Sequence, residues 1–284
     1  MRKIIISAAV FLLLLPFIIS AVKKTPDDRV YRVRDHQVIS FGQMISEIKQ
    51  ADVVLLGETH NSMADHRAQL DIIKRLHSLH VPFSIGLEMF RADSQKDLDG
   101  WVKKEIPPDR FLEIYYDNWD APWALYKDIF LFARASDIPM AGLNVPWELS
   151  GKIFTSGFNS LTPEEKKEIP GGITCTVDKE YERFIRQVYQ VHHGMGGKSF
   201  DNFCQAQMLW DSVMAWNIVN RLRKEPGSKM VVLTGIGHAW KKGIPAQMGK
   251  RSKCRYAVVL PQLPMGKPDR EISPDEADYI LMGH

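Results

Sequence analysis

The stretch VVLLGETH, Val53 to His60, is a run of aliphatic residues closed by a glycine, a carboxylate and an imidazole. Far along the chain VVLTGIGH, Val231 to His238, repeats the layout, with Gly235 and His238 matching Gly57 and His60. Apolar runs this short, with no polar residue alternating through them, are the mark of strands covered on both faces, as in a parallel sheet between helical layers. In such sheets ligands bind where strands end at their carboxyl edge, because loops and helix N-termini converge there. A chain that writes strand-Gly-x-x-His twice therefore places two imidazoles at the edge where chemistry is done.

The rest of the chain fits that frame. Strands are expected at Asp52–Gly57, Phe83–Met89, Pro139–Leu143, Met230–Gly235 and Cys254–Leu260, and ADYIL near the carboxyl end adds one more. Between them, Ala64–Leu79 carries Leu70, Ile73 and Leu76 at helical spacing, and Trp123–Ala135 carries Leu125, Ile129 and Phe132 likewise. The expected fold is α/β, a mostly parallel central sheet flanked by helices. An insertion at about 150–226 departs from the alternation. It reads as loop from Ser150 to Thr176, apart from a short helix begun by Thr162 and Pro163, then as helices near Lys179–Val191 and Phe200–Arg223. It is expected to form a lid or cap over a single domain spanning 39–284.

Ahead of that domain, residues 1–21 combine a basic start, an apolar run and a small-residue ending. They read as an export signal, either cleaved after Ala21 or retained as an anchor, followed by a polar linker at 22–38. No cysteine follows the apolar run, so lipid attachment at this terminus is not expected. The cysteines, Cys175, Cys204 and Cys254, have no metal-ligand spacing, and one bridge among them is open. The formal net charge of +3 falls toward neutrality once Arg2 and Lys3 leave with the signal, so no global basic field recruits nucleic acid.

Three strand ends are polar, and a fourth ends in an imidazole. Glu58 and His60 close the first, Glu88 the second, Asn144 the third, and His238 comes after the Met230 strand. Together Glu58, His60, Glu88 and His238 could form a two-imidazole, two-carboxylate cluster. His60, His238 and Glu58 would then be ligands for zinc, iron or manganese, a remaining carboxylate serving as base, or the cluster would work as a metal-free acid–base pair. His66, Gln69, Gln207 and Asp211 sit on otherwise apolar helix faces. Leaving such groups buried and unpaired costs ~1–3 kcal/mol each, so they are expected to support the cluster, with Asn144, through hydrogen bonds. WDAPWALY and YQVHHGMGG bring aromatic groups together with Tyr189, His192 and His193, residue types that ligate haem iron.

The ordered series GETH, Asp65-His66, Gln69, GLEMF, Gln95, WALY, LNVPWEL, AQMLWDSVMA and GIGH, running from about Ile39 to Leu281, resembles the ChaN family of haem-binding uptake proteins. It also resembles the broader Tiki, TraB and erythromycin-esterase superfamily, whose shared feature is a pair of Gly-x-x-His elements with a separate glutamate. The resemblance implies an exported protein, periplasmic or membrane-associated, that binds haem in iron acquisition, often as a homodimer and with an envelope or outer-membrane uptake partner. It also implies functional roles for His60, His238, Glu58 and Glu88, with haem contacts largely on the insertion. A metal-dependent hydrolase of peptide, ester or amide bonds is the alternative.

Overall fold

A computed structural model describes residues 29–171, 173, 175–192, 199–261 and 273–282, without the side chains of 191 and 192. The expected export signal and His193 lie outside the described residues, as does the side chain of His192. No helix among the described residues is long and apolar enough to cross a membrane.

The chain opens with a small antiparallel pair, β1 (Arg29–Arg32) and β2 (Gln37–Ser40), and then α1 (Phe41–Ile48). Next come β3 (Val53–Glu58), α2 (Met63–Ser78) and β4 (Ser84–Arg91), followed by α3 (Gln95–Val102), α4 (Pro108–Asn118) and α5 (Trp123–Ala135). β5 (Met140–Asn144) leads into the insertion helices α6 (Trp147–Ser156), α7 (Lys179–His192) and α8 (Phe200–Lys224). The sheet resumes with β6 (Met230–Gly235), then α9 (Ile236–Ala239), α10 (Ile244–Gly249), β7 (Tyr256–Leu260) and β8 (Tyr279–Leu281). The eight strands form one sheet in the order β2-β1-β8-β7-β3-β6-β4-β5, parallel from β8 to β5. The antiparallel β1 lies in the stretch expected to be linker. It pairs with β2 on one side and β8 on the other, and its alternating Arg29, Val30, Tyr31 and Arg32 hide a strand from a search for wholly apolar runs.

Local chemistry sets the helix starts. Ser40 and Gln43 form a reciprocal capping box for α1, the Ser62 hydroxyl accepts the Asp65 N–H at 3.2 Å for α2, and Pro108 opens α4. Along β3 the pleat sends Val54 and Leu56 to the face covered by α1 to α5, and Val53 and Leu55 to the face covered by the second half of α8 with α10. A third core belongs to the insertion, where Ile153, Tyr181, Ile185, Phe203 and Leu209 pack together with Trp240. α8 joins the two regions: Phe203 to Val213 serve the insertion core, and Met214 to Val219 serve the sheet. The insertion therefore shares its longest helix with the scaffold. The stretch expected as loop from Ser150 is helical up to Ser156, and a disulfide joins Cys175 to Cys204 on α8.

Candidate functional site

β3 and β6 are adjacent and parallel, with Gly57 opposite Thr234 and Glu58 opposite Gly235. The two Gly-x-x-His elements therefore emerge side by side at one sheet edge. Their glycines are spacers for close approach: a Cβ at Gly57 would sit 2.6 Å from Leu260 Cδ2, and one at Gly235 would sit 3.1 Å from His60 Cε1 and 3.8 Å from Glu88 Oε2. That single position at Gly235 shows the His60 ring and the Glu88 carboxylate facing the same small volume.

Glu58 is buried at the end of β3. One of its oxygens accepts from the Tyr126 hydroxyl on α5 and lies 2.9 Å from His60 Nδ1. The other accepts from Gln69 Nε2 at 2.8 Å and has His66 Nδ1 at 3.4 Å. His66 Nε2 in turn donates to the His60 carbonyl at 3.1 Å, so both nitrogens of this buried ring face acceptors, as an imidazolium requires. Burial by itself would raise the Glu58 pKa. Hydrogen bonds and positive charge from His60 and His66 outweigh it and hold the carboxylate at about 2. Both histidines are raised in return, burial being overcome by Glu58.

A matching array lies across the sheet edge. Glu88 Oε2 accepts from Thr234 Oγ1 at 2.5 Å and from the Gly235 N–H at 2.7 Å. His238 presents Nε2 to Glu88 Oε1 at 3.8 Å and donates through Nδ1 to Asp211 Oδ1 at 2.7 Å. The other Asp211 oxygen accepts from Tyr181 on α7 at 2.5 Å. Burial would lower the His238 pKa, but Glu88 and Asp211 carry it up to about 9, so it is cationic at neutral pH. Burial raises the pKa of Asp211, and that of Tyr181 stands well above ordinary, which keeps the tyrosine a hydrogen-bond donor. Two tyrosine–carboxylate–histidine arrays thus flank Glu88. His60, with 44% of its side chain exposed, is the more open imidazole, edged by Trp119 at 5.1 Å between ring centres. Trp210 stands edge-on to His238 at 6.1 Å and shares a narrow recess beside Glu88 with Arg91, Asn144 and Trp147.

The structure brings Glu58, His60, Glu88 and His238 to one sheet edge. It places His66 and Gln69 on Glu58, Asp211 on His238, and Asn144 under Glu88, whose carbonyl accepts the Asn144 amide at 2.9 Å. Gln207 is half-buried one turn before Asp211 on α8. Metal ligation by His60, His238 and Glu58 is not borne out as a ready centre: no group of three or more His, Cys, Asp or Glu among the described residues is arranged to hold a metal ion. Both oxygens of Glu58, the carboxylate of that ligand set, are already committed to Tyr126, His60, His66 and Gln69. Tyr189 is not part of this cluster. Its ring packs against Phe200 and Phe203, two turns or about 12 Å along α8 from Asp211.

The sequence reading missed Tyr126 as a partner of Glu58, and Tyr181 and Thr234 altogether. A tyrosine on an apolar helix face was the available signal, because a buried hydroxyl needs a partner.

Comparison with solved structures places this architecture among known folds. A structure reporting cofacial heme binding to ChaN of Campylobacter jejuni is similar over 89% of this chain and 95% of that one, with 24% identity and a TM-score of 0.69. An erythromycin esterase mutant in its open conformation is similar over 88% of this chain and 81% of that one, with 14% identity and a TM-score of 0.50. The type III effector HopBA1 covers 90% of this chain and 97% of its own, with 11% identity and a TM-score of 0.50. At these identities the likeness is one of fold. No curated protein gives a significant sequence match. The family model described as haem-binding uptake, Tiki superfamily, ChaN matches residues 44–248, a span that holds both Gly-x-x-His elements and the whole insertion, and the chain belongs to that family.

Proposed function

We propose that this chain is an exported haem-binding protein of haem or iron acquisition, with haem as cargo held on the helical insertion. The observation that carries the reading is the family match over residues 44–248. The Campylobacter protein of similar fold is described by its cofacial heme binding, and a homodimer of this chain is part of the same proposal. Export is supported by the apolar amino-terminal run and by the Cys175–Cys204 disulfide, since such bonds persist in oxidising compartments. There the protein would be periplasmic or membrane-associated and would exchange haem with an uptake partner of the envelope.

Phenolate and imidazole are donors that haem iron accepts, and the Tyr189 ring sits beside Phe200 and Phe203, an aromatic setting compatible with a porphyrin face. Titration with haem, followed in the Soret band, tests the proposal. The native chain is expected to bind saturably, the His60→Ala/His238→Ala variant to retain binding, and a Tyr189→Phe/His192→Ala/His193→Ala variant to lose it. Absence of saturable binding by the native chain refutes the reading.

A second reading is favoured by the paired tyrosine–carboxylate–histidine arrays. They suit hydrolysis of an ester, amide or peptide bond, with the Glu88 carboxylate accepting a proton from water and cationic His238 donating one to the leaving group. Turnover of chromogenic esters by the native chain, lost in His60→Ala/His238→Ala, would support it. No turnover by the native chain would dismiss it for that substrate class.

A further inference from the structure

The two arrays differ in where their parts come from. Tyr126, Glu58 and His60 all belong to the sheet and its covering helices. In the other array Tyr181 comes from α7, the middle helix of the insertion, while Asp211 lies on the helix shared by insertion and scaffold.

α7 is keyed to α9, the short helix that carries His238, and to the residues just after it. Phe184, one turn after Tyr181, fills the space left by Gly237, where an added Cβ would overlap the Phe184 ring. Trp240 stands edge-on to both Tyr181 and Phe184, at 5.8 and 5.6 Å between ring centres. Lys242 reaches back to Asp178 at 3.0 Å and Glu180 at 3.1 Å, and Asp178 itself caps α7 through the N–H groups of Glu180 and Tyr181. From Gly237 to Lys242 the second Gly-x-x-His element and its continuation thus form the seat of α7. The second glycine of GIGH has a physical role, because it admits an aromatic ring from the insertion.

We propose that Tyr181 is a positioning residue through which the insertion completes the strand-end site: its hydroxyl fixes Asp211, Asp211 fixes the His238 ring, and His238 faces Glu88 only while α7 is seated. The groups facing His238 are Asp211 from α8 and Glu88 from β4, with the Trp210 ring beside it. Without the tyrosine hydroxyl the Asp211 carboxylate loses its second partner in a fully buried site and is free to turn. The His60 array has no such dependence. One half of the site is therefore permanent, and the other is conditional on docking of the insertion. The Tyr181–Asp211–His238 chain of contacts holds wherever haem binds.

The test uses the full chain with nitrogen-15-labelled histidine and follows ring nitrogen shifts, tautomer and water exchange of the His60 and His238 Nδ1 protons by NMR. Tyr181→Phe keeps the ring and removes the hydroxyl, and Gly237→Ala drives Phe184 from its seat while leaving unchanged the Asp211, Glu88 and Trp210 side chains that face His238. Both are expected to shift the His238 ring nitrogens and speed exchange of its Nδ1 proton by about tenfold, the factor that a hydrogen bond of ordinary strength represents. The His60 signals should stay in place. Tyr126→Phe should do the reverse, moving His60 and sparing His238. Unchanged His238 signals in Tyr181→Phe or in Gly237→Ala overturn the proposal. So does an equal disturbance of both histidines by all three variants, which would mark a general loosening. Should Tyr181→Phe fail to fold, Gly237→Ala and mild reduction of Cys175–Cys204 decide the question by the same signals.

Discussion

Replacing Glu58 with glutamine keeps the shape of the side chain and removes its charge. In the native protein this carboxylate is 2% exposed and is held by Tyr126, His60, His66 and Gln69. Burial opposes its ionisation, yet the histidines hold its pKa at about 2 against an ordinary 4.5. At ~1.36 kcal/mol per pH unit, that displacement corresponds to about 3 kcal/mol of stability contributed by the ionised group. His60, at 2.9 Å, is the larger of the two contributors and His66, at 3.4 Å, the second, with solvent screening the more exposed His60 in part. The glutamine amide also turns an N–H toward groups that donate, adding to the loss. Urea denaturation followed by tryptophan fluorescence at neutral pH is expected to show the variant less stable by at least about 3 kcal/mol, or roughly 6–12 °C in Tm for a chain of this size. Because the folded pKa is depressed, the contribution is complete above 4.5 and drains away as the pH falls toward about 2. The gap between native protein and variant should therefore narrow across that window. A loss under about 1 kcal/mol at neutral pH, or a gap that stays constant through the acid range, refutes the assignment of Glu58 as the charged anchor of this half of the site.

Two further outcomes rest on the packing. Gly57→Ala places a Cβ 2.6 Å from Leu260 Cδ2 and 3.4 Å from the Ile236 backbone, so overpacking should cost about 1–3 kcal/mol in chemical denaturation, and an unchanged midpoint would mean the strand ends yield easily. The Cys175→Ser/Cys204→Ser variant opens a loop whose ends lie 29 residues apart, a loss of about 3–4 kcal/mol on the chain-entropy account, and limited proteolysis should cut first within 157–178. Equal protease resistance with and without the bond would show that the insertion core holds this segment unaided.

Much of the site is legible because its signals are local. The end of an apolar strand is marked by the polar residues directly after it, so Glu58, His60, Glu88 and His238 stand out in the sequence. Burial on a helix face likewise flags His66, Gln69 and Asp211, since a polar group in an apolar stripe needs a partner. Tyr126 and Tyr181 carry no comparable mark: a tyrosine satisfies an apolar pattern whether or not its hydroxyl is used.

The amino-acid sequence by itself determined the class of fold, the central strands and the residues at their carboxyl ends, because each rests on a periodicity or a glycine read within a few positions. It left open which strands are neighbours and which cysteines pair. Tertiary structure decided those. Placing β3 beside β6 set the two Gly-x-x-His elements edge to edge, and seating α7 on Gly237 delivered Tyr181 to Asp211. Such contacts join residues far apart in the chain, and their energy comes from shapes and charges that meet only when the whole core closes.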